Sequence, residues 1–76
     1  MPKGKIIQII GPVVDVDFGE NELPPIYTAL IVEKNNEKIF LEVVKHLEPG
    51  RVRTITMQST DGLRRGQEVI NTGKMI

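Results

Sequence analysis

The chain has 76 residues, with ten basic and ten acidic side chains, zero formal net charge and no cysteine. That length allows one small domain. The missing thiols exclude a disulfide framework and a thiolate metal site, and balanced charge lacks the basic excess of a nucleic-acid binder.

A domain of this size buries only about 60% of the surface its unfolded chain exposes, so packing against a neighbour should matter to it. No apolar run approaches the roughly 18 residues of a membrane-spanning helix. The start, Met1-Pro2-Lys3, lacks both the apolar segment of a secretory signal and the Arg/Ser richness of a transit peptide. It reads as a native cytoplasmic start, or as that of a recombinant fragment.

In chain order, Lys5 to Ile10 is an apolar strand broken in character only by Gln8. Gly11-Pro12 ends it, because Pro12 has no amide donor and Gly11 can take the bend. Val13 to Phe18 alternates, which points Val14, Val16 and Phe18 inward and Asp15 and Asp17 outward. Gly19 to Pro25 is polar and acidic and reads as a loop. Ile26 to Lys34 is the next strand, Asn35-Asn36 a two-residue hairpin turn, and Glu37 to Leu47 the answering strand. Glu48-Pro49-Gly50 is another turn.

Residues 51 to 58 then form a strand with Ile55 and Met57 on one face and Val52, Thr54 and Thr56 on the other. Asp61-Gly62 is a strong reversal signal, since Gly accepts positive φ without steric cost. Gly66 marks a further bend before a short strand at Glu68 to Asn71. No stretch keeps a 3.6-residue period. Five or six short strands with Gly, Pro and Asn turns predict an all-β fold, a small closed or nearly closed antiparallel β-barrel spanning residues 1–76. Closure would also remove exposed strand edges.

Charge is unevenly placed. Asp15, Asp17, Glu20 and Glu22 form an acidic run with no Lys or Arg between Lys5 and Lys34, while Arg51, Arg53, Arg64 and Arg65 make the later half basic. Two readings stay open: two solvated faces, or complementary edges meeting on adjacent subunits. Asp15 and Asp17, two residues apart on one strand face, could be a hydrolase pair only with a raised pKa in a cleft; on an outward face they are structural. His46 has no second His or Cys to share a metal and reads as a strand-end surface residue. Gly73-Lys74 lacks the rest of a phosphate-binding loop. Arg64-Arg65 reads as exposed or as part of an intersubunit salt bridge. The three aromatics are too few for a base-stacking platform, and Phe18 and Phe40 read as core. No catalytic, cofactor-binding or metal-binding residue emerges. The candidate structural turns and interface residues are Gly11, Pro12, Asp61, Gly62, Arg64 and Arg65.

Residues 4–16, Gly-Lys-Ile-Ile-Gln-Ile-Ile-Gly-Pro-Val-Val-Asp-Val, closely resemble the opening of the beta subunit of F-type ATP synthases. Leu23-Pro24-Pro25-Ile26-Tyr27-Thr28-Ala29-Leu30, Leu41-Glu42-Val43-Val44 with His46-Leu47, and Ser59-Thr60-Asp61-Gly62-Leu63 with Arg65-Gly66 continue the likeness in order, from Lys3 to Ile76. Glu48-Pro49-Gly50 departs from the turn residues common in that family, and the 33–38 hairpin is short.

The resemblance implies the subunit's N-terminal domain, a closed six-stranded antiparallel β-barrel, which in the family alternates with the barrels of alpha subunits in a ring, the crown, holding the catalytic hexamer together. It implies a parent that makes or hydrolyses ATP coupled to proton transport, lying peripherally on the cytoplasmic face of a bacterial inner membrane, or on the matrix side in an organelle, without inserting. ATP, ADP and Mg would be bound by the parent beyond residue 76, so no cofactor is expected here. The isolated chain is expected to be a monomer or to self-associate weakly. The alternative is a free-standing barrel that binds single-stranded nucleic acid or a ribosomal partner.

Overall fold

A computed structural model describes residues 3–75; Met1, Pro2 and Ile76, the ends of the expected 1–76 domain, lie outside the described residues. The expected architecture is what forms. Six strands, β1 (Lys3–Ile10), β2 (Val13–Asp17), β3 (Thr28–Lys34), β4 (Glu37–Leu47), β5 (Arg51–Ile55) and β6 (Glu68–Met75), close in the order β1-β2-β5-β4-β3-β6 with every neighbouring pair antiparallel.

The interior of so narrow a barrel has room only for branched aliphatic side chains and little else. Val14, Val16, Leu30, Leu41, Val43, Val52 and Val69 have no accessible surface, and Ile6, Val32 and Ile39 almost none. Alternation along β2, β4 and β5 delivers these residues inward, as the sequence pattern requires. Thr54 joins them by donating its hydroxyl proton to the Val14 carbonyl at 2.7 Å, which satisfies a buried polar group within the wall.

Alternating up and down strands give the barrel two ends, and each is covered. At one end lie the Gly11-Pro12 turn, the Asn35-Asn36 turn and the connection 56–67. Ile10 pairs with Val13 across the first turn, with Gly11 at φ 55; Lys34 pairs with Glu37 across the second, with both asparagines left-handed at φ 51 and 67. The second arrangement is the hairpin geometry that Asn tolerates better than most residues. At the other end the 18–27 loop folds across, held by the Phe18 amide on the Gly50 carbonyl at 2.8 Å and the Asn21 side chain on the Phe18 carbonyl at 3.0 Å. Phe18 itself is buried at that end.

Five strand boundaries differ from the sequence reading: β1 starts earlier, at Lys3, where β6 pairs with it, and β2 ends at Asp17, one residue before Phe18. β3 starts at Thr28 because Pro25 to Thr28 form a turn, in which the Thr28 amide donates to the Pro25 carbonyl. β5 stops at Ile55 because the next amide, that of Thr56, is taken by the Pro12 carbonyl. β6 runs on to Met75, past Gly73 at φ 74, because β3 supplies a partner as far as Thr28. Asp61-Gly62 does not join two paired strands: β5 and β6 are not neighbours, and the turn lies within the connection that crosses the barrel end. Phe40, read as core, is half exposed, because β4 keeps its alternation and sends Ile39 and Leu41 inward.

Gly50 sits where the two end-closing features touch. At φ 64, an added Cβ there would run into the Gly19 carbonyl oxygen, whereas one at Gly11, at φ 55, meets nothing. Gly11→Ala should therefore show only the left-handed penalty of about 1–2 kcal/mol. Gly50→Ala should exceed it and lower the melting temperature more; thermal unfolding of both variants measures the difference.

Candidate interaction surface

No group of three or more His, Asp or Glu side chains able to hold a metal occurs among the described residues. The charged side chains have instead organised one another. β2 and β5 lie side by side in the register Asp15↔Arg53 and Asp17↔Arg51, which sets the early acids directly against the later arginines. Arg53 grips Asp15 with two parallel donations at 3.0 Å, Nε to Oδ1 and Nη2 to Oδ2. Gln8 adds a third contact from β1, Nε2 to Oδ2 at 3.3 Å. Arg51 and Asp17 approach more loosely, at 3.8 Å and largely in solvent.

This corrects the reading of Asp15 as an outward, solvated carboxylate: it is 4% exposed. It faces outward on its strand, but Arg53 and Gln8 lie over it. The arrangement also answers half of the open question about charge. Two of the four acids and two of the four arginines are complementary edges within one barrel, leaving Glu20, Glu22, Arg64 and Arg65 exposed. The fork geometry suits a guanidinium and a carboxylate, and it neutralises both. The hydrogen bond to Asp15, and then its charge, push the Arg53 pKa up. A raised pKa stabilises at every pH below the ordinary arginine value and is lost only above it, so Arg53 keeps its charge and its contribution at neutral pH.

The connection 56–67 carries the remaining sequence candidates. Thr60, Asp61, Gly62 and Leu63 form a turn closed by the Leu63 amide on the Thr60 carbonyl at 3.0 Å, with Gly62 at φ 91 in the position that needs it. Leu63 is thereby turned into the core. A second turn, Arg64 to Gln67, repeats the device with Gly66 at φ 88. The connection is pinned on three sides: Thr60 Oγ1 to the Gly11 carbonyl, Gln58 to the backbone of Lys38 and Phe40, and Gln67 Nε2 to the Glu33 carbonyl. Asp61 and Arg64 are exposed on it, and Arg65 lines a shallow groove with Lys3, Lys5, Asp17 and Gly19.

The structure brings Gly11, Pro12 and Asp61 to one small groove and carries Arg65 to another. His46 is exposed on β4 and its Nε2 lies 2.7 Å from the Pro24 carbonyl, tying the 18–27 loop to the wall. Sequence reasoning missed Tyr27. It holds φ 76 in the position of the Pro25–Thr28 turn that glycine would fill, with its amide on the Val43 carbonyl and its ring exposed. Only the Pro-Pro preceding it hinted at a forced turn. Residues 6–73 match the family model described as the ATP synthase alpha/beta family, beta-barrel domain.

Removing one side of the Asp15–Arg53 pair should do more harm than removing both. Arg53→Met leaves the Asp15 carboxylate without its charged partner and should lower the melting temperature, and Asp15→Val combined with Arg53→Met should recover at least half of that loss. A thermal double-mutant cycle measures this.

Proposed function

The chain belongs to the ATP synthase alpha/beta family, and from that premise we propose that it is the N-terminal barrel of a beta subunit, acting to seat that subunit between alpha subunits in an alternating ring. In this reading the barrel is an assembly module and performs no chemistry. ATP synthesis or hydrolysis, coupled to proton transport, belongs to the parent subunit, whose nucleotide and Mg ligands come from residues outside this chain. The parent complex lies peripherally on the cytoplasmic or matrix face of its membrane.

The observation that carries the reading is closure. Every strand already has two partners, so no edge is left for an incoming strand, and both ends are covered by their own loops. What remains is side wall, and side walls are what neighbours in a ring share. The beta assignment rests on Gly11-Pro12-Val13-Val14-Asp15-Val16 and Ser59-Thr60-Asp61-Gly62-Leu63 occurring together. In the fold these two pieces meet, through Thr60 Oγ1 on the Gly11 carbonyl at 2.9 Å. The alternative reading, a nucleic-acid-binding barrel, is disfavoured by geometry. The basic groove of Lys3, Lys5 and Arg65 lies over β1, whereas the exposed aromatics Tyr27 and Phe40 precede β3 and sit on β4, on strands that do not adjoin it.

Gly62→Val, introduced into the full subunit, places a β-branched residue at φ 91. It should loosen the 56–67 connection and reduce hexamer yield when the subunit is mixed with its alpha partner, as read by sedimentation velocity. An undiminished hexamer peak would count against the assembly role.

A further inference from the structure

We infer that Met57 is a reversible oxidation site. Its thioether takes an oxygen atom from a peroxide, which turns an apolar projection of the barrel wall polar and leaves the fold as it is. Peroxide chemistry has few targets in this chain. With no cysteine, all of its sulfur lies in three methionines, and a thioether in solvent is then the side chain most open to a two-electron oxidant. Exposure separates the two methionines that the structure describes: Met57 is 98% exposed and Met75 70%. Among the described residues, no other large apolar side chain stands so fully in solvent as Met57.

The backbone fixes that exposure. Thr54 and Thr56 are both buried, so the alternation of β5, carried two residues past its end, turns Met57 outward. Both neighbours of Met57 are fastened. The Thr56 amide donates to the Pro12 carbonyl at 3.0 Å, and the Thr56 hydroxyl oxygen accepts the Gln58 amide at 3.1 Å. The Gln58 side chain in turn accepts the Phe40 amide and donates to the Lys38 carbonyl. A flexible methionine ordinarily seeks apolar cover. Here it could turn inward only if Thr56 turned out, and Thr56 is the residue that is held.

The step balances with hydrogen peroxide as the oxidant. A lone pair on Met57 Sδ attacks one peroxide oxygen, the O–O bond breaks, and the second oxygen leaves as water with the proton of the first. Sulfur gives up two electrons and the peroxide accepts them. A dithiol working through methionine sulfoxide reductase reverses the step: the oxygen leaves as water and the dithiol becomes a disulfide. Sulfoxide formation disrupts a core because it puts a polar group among apolar ones. At Met57 the side chain is already in water, so no packing is lost. What changes is the wall. Met57 lines a groove with Gly11, Pro12 and Asp61, and the half-exposed Ile55 precedes it by two residues. Oxidation sets a polar, hydrogen-bond-accepting oxygen at the most exposed apolar point of that wall. The step needs this chain alone, so its failure would leave the assembly reading as it stands.

The test treats the whole chain with excess hydrogen peroxide and follows the methionine methyl signals by NMR, assigned with Met57→Leu and Met75→Leu. The Met57 signal should disappear at the rate of N-acetylmethionine amide in the same buffer, ahead of the Met75 signal. The Met75→Leu chain should melt at the same temperature before and after oxidation. Methionine sulfoxide reductase with a dithiol should then restore the Met57 signal. Four results would each overturn the inference: a Met57 rate well below that of the amide, loss of the Met75 signal first, a Met57 sulfoxide that the reductase leaves untouched, or a fall in melting temperature on oxidation that Met57→Leu abolishes.

Discussion

Closure of the sheet between β1 and β6 is the constraint on which the rest of the structure depends. It is a short seam, registered only from Lys3↔Ile70 to Lys5↔Glu68, and extended by the Ile6 amide on the Gln67 carbonyl. Gly4 stands in the middle of it, opposite Val69. A side chain there would press on Val16, Phe18 and the Asp17 carbonyl, so the first strand could not lie so close against the second while also reaching the sixth. The absence of a Cβ at that position is what brings the two ends of the sheet together. Immediately afterwards β1 bulges between Ile6 and Gln8. The bulge lets Ile6 and Ile9 both reach the core from one strand and adds the local twist that a six-stranded barrel needs.

Once the seam is shut, the remaining polar groups have few places to go. The two ends are sealed by loops whose backbone groups bond to other loops and strands, and every buried side-chain nitrogen or oxygen among the described residues has a partner. The only carboxylate buried to this degree among the described residues, Asp15, sits on the outer wall under Arg53 and Gln8. Its value lies less in net stability than in register. A one-residue slip of β5 against β2 would break the fork and turn Val52 and Thr54 out of the core together. Charge and packing thus specify the same alignment, and consistency between levels favours a single fold.

Much of this was legible in the sequence because the strands alternate and the turns are chemically marked. Val14, Val16 and Phe18 against Asp15 and Asp17, and Asn35-Asn36 between two apolar runs, each have one good solution. What was hidden follows from non-local pairing. Nothing in Thr72-Gly73-Lys74-Met75 looks like a strand; it becomes one because β3 has a free edge for it. Asp61-Gly62 looks like a hairpin because local signals cannot show that the flanking strands are separated by others. The Asp15–Arg53 pair spans 38 residues, and only the strand order, not either segment alone, brings the two together. Phe40 was misplaced because aromatic character suggested burial, whereas its parity along β4 put it outside. Where the two signals conflict, parity should be trusted first.

The same logic bears on how so small and neutral a barrel can be oriented by its neighbours. With no net charge, it has little long-range field to steer an encounter. The strongest local charges of β2 and β5 are spent on each other across the wall. Orientation must then come from short-range features held in fixed places by the backbone: the Gly11-Pro12 turn, the doubly turned 56–67 connection, and Tyr27 held at φ 76 with its ring in solvent. A non-glycine residue at such a φ costs about 1–3 kcal/mol and persists only where its surroundings over-determine it. Here two backbone bonds, Tyr27 to Val43 and Thr28 to Pro25, do so. Rigid, locally determined projections on a closed wall lose little entropy when a neighbour packs on them. That is the physical advantage of a barrel over an open sheet as an assembly module: its surface is decided before the partner arrives.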